Sequence, residues 1–142
     1  MKISTKGRYA LMMLLDLAMH TGDGFVALKD IAQRQGISKK YLEQIVPLLN
    51  REDILLTTRG FQGGYMLAKP AEKYTVGYIL RVAEGSISPV DFAEFDSDSL
   101  EASMTSDLWK GLDKVIAEYL DRITLSDLID KYYERTLSEY YI

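Results

Sequence analysis

Along the first twenty residues, apolar side chains recur at three- and four-residue steps. Tyr9, Met12, Met13 and Leu17 form one row, which also takes in Asp16 and His20, while Leu11, Leu14, Leu15 and Ala18 form a second. This spacing predicts a helix over 4–20, buried on much of its circumference, with Ser4 and Thr5 as capping candidates. Gly22-Asp23-Gly24 is a turn, and Phe25-Val26 suits a short strand. A second helix over 28–35 stops at Gly36, and Ser38 caps a third that runs through Tyr41, Leu42, Ile45 and Val46. Pro47 lies inside that third pattern, so the helix is expected to kink or end near Val46. The run Ile54-Leu55-Leu56-Thr57-Thr58, a turn over 59–63 and Tyr65-Met66-Leu67-Ala68 read as a hairpin. A fourth helix over 75–83 takes Thr75 as its cap. The acidic, serine-rich stretch 84–106 is expected to be disordered. A long helix then runs from about Ser106 to Asp121, another from Thr124 to about Tyr132, and the chain ends in Tyr140-Tyr141-Ile142.

The element pattern predicts a mainly α fold with a small β-hairpin wing. It divides into a winged helix-turn-helix over 1–83, an acidic flexible loop over 84–105, and a dimerisation helix with a C-terminal tail over 106–142. The helix-turn-helix rests on residue types at fixed offsets. Ala32 is small where two helices must cross, and Gly36 accepts the positive φ of the turn. Ile37, Leu42 and Ile45 serve as inward anchors. An ordinary αα-hairpin in a core is the alternative. If the second helix of the motif enters a major groove, Ser38, Lys39, Lys40, Tyr41, Glu43 and Gln44 lie on or near its outward face. Lysines suit phosphates, Gln44 can pair with adenine, and Glu43 can accept from the cytosine amino group.

Charge changes the picture. The 142 residues carry a net charge of −4, which argues against a nucleic-acid partner until the chain is split. Residues 1–80 hold 11 Lys and Arg against 7 Asp and Glu, and residues 81–142 hold 6 against 14. A basic front and an acidic back imply two jobs, one of them facing an anion. The 47 % apolar content is that of a chain with a packed core. No stretch reaches the roughly 20 apolar residues that span a bilayer, and the N-terminus has no small-residue cleavage site. A soluble, cytoplasmic protein without membrane contact is expected.

Enzymatic chemistry finds few residues to use. There is no cysteine, which rules out thiolate catalysis and all-cysteine metal sites. His20 is the single histidine and sits among methionines and leucines, where a structural role fits better than a catalytic base. The carboxylates of 91–101 are unevenly spaced, which fits solvation better than metal binding. We therefore expect no catalytic residues, no metal and no cofactor. The stretch RGFQGGY, 59–65, lacks the Gly-Lys-Ser/Thr ending of a nucleotide-cradling loop and is followed by a strand instead of a helix. Its Arg59, Gly60, Gln62, Gly63 and Gly64 instead suit a wing tip that approaches DNA. Narrow minor grooves attract arginine, and glycines permit a close backbone. On the long helix, Leu108, Leu112, Val115 and Tyr119 share one face, and Trp109, Ile116, Leu120 and Ile123 another. One stripe serves the chain's own domain and the other is left for a partner, although both could pack within one chain. We take Leu108, Trp109, Leu112, Val115, Ile116 and Tyr119 as the candidate interface of a homodimer on a palindromic double-stranded operator.

Three separated motifs in order, MKISTKGRYA, ISKKYLEQIV and RGFQGGYML, with ITLSDLI near the end, resemble the IscR/NsrR/CymR family of bacterial winged-helix repressors, the Rrf-two family. The resemblance covers nearly the whole chain. It implies a dimer with a long helix crossing between subunits, a recognition helix in the major groove and a wing in the minor groove. It also implies that Lys2, Ser4, Lys6 and Arg8 help pin the DNA backbone, and that Arg59 probes the minor groove. Many members hold an iron–sulfur cluster through three cysteines in the loop before the long helix. This chain has none there, and Ser106 stands where one branch has a histidine. AEGSISPVDFAE and the terminal Tyr-Ile resemble the cluster-free, CymR-like branch, which implies control of cysteine and sulfur metabolism with a cysteine synthase as signalling partner. Tyr141 and Ile142 are then candidates for insertion into that enzyme. Asp53 stands where the family has a helix-ending glycine. A second function class is a protein-interaction module that binds such an enzyme without touching DNA.

Overall fold

The computed structural model describes residues 2–61, 63–94 and 96–140. Six helices and one two-stranded sheet follow in the order α1 (Thr5–Met19), α2 (Leu28–Gln35), α3 (Lys39–Arg51), β1 (Leu55–Thr58), β2 (Gly64–Leu67), α4 (Val76–Glu84), α5 (Leu100–Asp121) and α6 (Leu125–Tyr140). Local chemistry sets most of the boundaries. Gly36 ends α2 in the left-handed region at φ 64°, and its N–H bonds back to the Ala32 carbonyl side of the turn. Ser38 Oγ accepts from the Tyr41 N–H to start α3, and Thr75 Oγ1 accepts from the Tyr78 N–H to start α4. Thr124 and Asp127 exchange side-chain-to-backbone bonds of 3.0 Å in both directions, closing a capping box at the head of α6. Asp53, just beyond α3, adopts φ 55°, the conformation a glycine would take without cost.

Three expectations need correction. The third helix does not end at Val46; it continues through Pro47 to Arg51. An interior proline costs about 3 kcal/mol. Leu42, Ile45, Val46 and Leu49 are all buried on either side of it, and each fully buried aliphatic side chain contributes about 1.5–3 kcal/mol. Packing wins, and Pro47 sits on the exposed face, where water reaches the carbonyl it leaves unpaired. The long helix starts at Leu100, not near Ser106, because Ser99 Oγ accepts from the Ala102 N–H and Glu101 favours the first turn. The last helix extends beyond Tyr132 to Tyr140, although residues 131–139 are exposed.

One core gathers α1, α2, α3, the hairpin base and Leu125. The strands pair antiparallel with Leu55 opposite Leu67 and Thr58 opposite Gly64. Val26 adds an isolated antiparallel bridge by exchanging bonds of 2.9 and 2.8 Å with Tyr65. Gly64 permits that approach, since a Cβ there would lie 2.3 Å from the Val26 carbonyl oxygen. A smaller cluster of Val76, Leu80 and Ile87 receives Leu120, Ile123 and Leu128, so the C-terminal end of α5 and the turn after it pack within the chain. Val76 N–H to Ile123 O and Leu125 N–H to Tyr74 O pin the α5–α6 turn to the body, and Arg81 forks onto Asp121 at 2.7 and 3.1 Å.

The deepest polar group is Asp16, 1 % exposed in the middle of α1. Its carboxylate accepts from Arg34 Nε and a terminal nitrogen at 2.9 and 2.7 Å, and from Gln35 Nε2 at 2.9 Å. His20 Nδ1 donates to the Asp16 carbonyl oxygen at 2.8 Å, a structural role. Burial alone would raise the Asp16 carboxyl. The bonds from Arg34 and Gln35, with the charges of Arg34 and His20, outweigh it and hold the carboxyl below its usual range. A depressed carboxyl contributes stability that is complete above its unfolded value, near ~3.9, and is lost as pH falls through the folded value. Replacing Arg34 with alanine is expected to cost about 2–4 kcal/mol at neutral pH and to move the acid-unfolding midpoint upward, because burial is then opposed only by the Gln35 bond and the His20 charge. Urea titrations across a pH series measure both; an unchanged acid limb would contradict this assignment.

Candidate nucleic-acid interface

The turn after α2 and the cap on Ser38 present the first turn of α3 outward, with Ser38, Lys39, Lys40, Glu43 and Gln44 all exposed. Tyr41 is different. It is half-buried, and its ring meets Tyr9 of α1 edge-on, with centroids 5.2 Å apart and planes at 79°. This contact ties the first turn of α3 to α1 near its N-terminal end. Tyr41 therefore orients the helix and offers only its outer edge to a ligand. The Ser38 hydroxyl accepts from the Tyr41 N–H as the cap of α3, and its own proton stays available for an outside acceptor.

At the head of α1, Lys2, Lys6 and Arg8 are exposed. Ser4 is exposed too, but both its N–H and its hydroxyl donate to Glu84 Oε1 at the end of α4, which also accepts from the Gly7 N–H at 3.0 Å. Glu84 thus does the capping that was expected of Ser4, and it occupies the serine that was expected to reach a phosphate. A carboxylate is well placed at this positive helix end.

Between α2, α3 and the wing lies a crevice of about 320 Å³ whose walls include Lys29, Lys39, Glu43, Thr58, Gly60 and Gly63. The structure therefore brings Lys39, Glu43 and the wing glycines 60, 63 and 64 to one place. Arg59 is exposed at the wing beside them, and Gln62 lies outside the described residues. Lys29 was missed by sequence reasoning. It is the second residue of the first motif helix, which crosses the DNA backbone in such motifs, and that position could have flagged it. Phe61, at the wing tip, was also missed; it is 104 % exposed.

A second surface lies on α5. Leu108, Leu112, Val115 and Tyr119 continue a stripe begun by Leu100 and Met104, each 40–75 % exposed. Trp109 and Ile116, also expected at a dimer interface, are half-buried and lie on the helix side that carries Leu120 and Ile123. Tyr141 and Ile142 lie outside the described residues. No helix among the described residues is long and apolar enough to cross a membrane.

The family model described as Rrf2, iron-dependent transcriptional regulator, matches residues 3–131. The HTH-type transcriptional regulator CymR of Bacillus subtilis (strain 168) is 41 % identical over 128 residues, covering 90 % of this chain and 89 % of that protein. Among solved structures, that of CymR (YrzC), the global cysteine regulator of B. subtilis, superposes with a TM-score of 0.79 at 40 % identity, covering 92 % of this chain and 98 % of that one. T. potens IscR superposes with a TM-score of 0.77 at 41 % identity, covering 95 % and 90 %. The iron in the family's description finds no fitting donors here. The chain has no cysteine, its one histidine is bonded to the α1 backbone, and no three His, Asp or Glu side chains among the described residues cluster as ligands.

Because Ser38 holds α3 by its cap, Ser38→Ala is expected to lower stability by about 1 kcal/mol, and Ser38→Asp to retain most of it. Thermal melting of the two variants checks the assignment. Equal melting of Ser38→Ala and the wild type would contradict the cap.

Proposed function

The chain belongs to the Rrf2 family of DNA-binding transcriptional regulators, and on that footing we propose that it is a cytoplasmic, homodimeric repressor and not an enzyme. Two recognition helices, one per subunit, read successive major grooves of a palindromic operator while the wings enter the flanking minor grooves. The observation that carries this reading is the convergence of Lys29, Lys39, Glu43 and the wing glycines on one crevice, with Arg59 exposed beside it. Lys2, Lys6, Arg8, Lys29, Lys39 and Lys40 hold phosphates. Glu43 and Gln44 read base edges, and Arg59 sits in the minor groove. Tyr41, Gly60, Gly63 and Gly64 shape the approach. Dimerisation buries the Leu108, Leu112, Val115 and Tyr119 face of α5, an apolar stripe too continuous to be left to water.

Similarity to the global cysteine regulator supports sulfur metabolism as the regulated process. A cysteine synthase is the proposed signalling partner, engaged by Tyr141 and Ile142. If removal of those two residues leaves binding to that enzyme unchanged, this part of the proposal is wrong.

Binding to operator duplex is expected to weaken as a power of salt concentration, by about 0.9 in log-log slope for each phosphate neutralised. Lys29→Ala should reduce that slope by about one per subunit with little change in sequence preference. Arg59→Ala should weaken operator binding by on the order of tenfold. Affinity indifferent to salt would favour a module that binds a protein partner without DNA. Leu112→Glu is expected to give a folded monomer in analytical ultracentrifugation that no longer binds the operator; a dimer that persists would remove α5 from the interface.

A further inference from the structure

The hairpin closes at its tip by a bond from the Gly63 N–H to the Gly60 carbonyl at 3.0 Å. Phe61 lies in that turn, next to Gly60 at φ 108°. The turn is anchored. β1 and β2 pair over four rungs, Val26 adds a rung at Tyr65, and a Cβ on Gly63 would meet the Thr58 carbonyl oxygen at 2.5 Å. A firm, narrow finger therefore presents a phenyl ring at its tip, with glycine on one side and Arg59 two positions before it. Single exposed apolar residues are common, but this one differs from the rest of the chain. Among the described residues, every other exposed large hydrophobic is at most 75 % accessible, and the most exposed of them line one stripe of α5, whereas Phe61 is 104 % accessible.

We propose that Phe61 is an apolar wedge that inserts into a base-pair step of the minor groove and bends the operator. The inference rests on the DNA-binding reading above and adds a deformation to it. Arg59 draws the wing into the groove by charge, and the small neighbours let the backbone follow. The ring then replaces part of the stacking at one step, which bends the duplex toward the major groove by about 20–90°. Pyrimidine–purine steps unstack most easily, so the wedge gives the protein a preference for such a step beneath each wing, at positions that no hydrogen bond reads.

The test uses the full-length protein and a duplex recovered by in vitro selection from a random pool, labelled at both ends for energy transfer. The wild type is expected to shorten the end-to-end distance. Phe61→Ala should melt at the wild-type temperature and keep the salt slope, but it should bind roughly tenfold more weakly, the scale of a lost base–aromatic stack, and leave the duplex straight. Phe61→Leu should restore the bend, since leucine also serves as a wedge. Replacing the pyrimidine–purine step under the wing should weaken the wild type and not Phe61→Ala. A Phe61→Ala variant that bends DNA as the wild type does, whatever its affinity, would overturn the wedge while leaving the regulator reading intact. A wild type that recovers no duplex would overturn both.

Discussion

A buried carboxylate cannot be left alone, and that constraint organises the helix-turn-helix half of this protein. Asp16 lies in the middle of α1, and the desolvation of its charge has to be offset by partners that reach it. They come from the end of α2, where Arg34 and Gln35 close on both carboxylate oxygens. The helix-turn-helix is therefore held to α1 by a fork of fixed geometry as well as by apolar contact, which could slide. From that joint the left-handed Gly36 and the Ser38 cap set where α3 begins, and the Tyr9–Tyr41 contact sets how its first turn lies against α1.

The same economy of anchoring runs through α4. Near its end, Arg81 grips Asp121 of α5 and Glu84 grips the head of α1, one turn apart on a helix whose apolar residues belong to both clusters. The C-terminal end of α5 and the basic head of α1 are thus attached to one short element, α4. The charge split of the chain fits this arrangement, with cations gathered where α1, α2, α3 and the wing meet and carboxylates gathered on the C-terminal helices.

Elements with a local cause were legible in the sequence. Ser38, Thr75, Gly36 and the apolar–turn–apolar run of the hairpin each act within four residues, and the structure follows them. Features built from distant residues were not. Asp16 reads as a break in an apolar row until Arg34 is beside it, and Ser4 reads as a cap until Glu84, eighty positions away, takes that role. Pro47 misled because the packing of Leu42, Ile45, Val46 and Leu49 outweighs its local cost. The head of α5 was hidden in serine and aspartate, which suit both a loop and a cap. Of the candidate interface, the recognition helix and wing were found by motif. Lys29 and Phe61 were missed because their placement depends on how α2 and the turn are carried.

The central claim is that this anchored frame sets two recognition helices and two wings on DNA as a two-fold pair. Hydroxyl-radical footprinting of the wild-type protein on a selected duplex tests it directly. The account predicts a palindromic pattern, with two protected tracts centred about 34–36 Å apart along the helix axis and minor-groove protection outside each. A single unsymmetric tract, or two tracts without the flanking minor-groove protection, would contradict it.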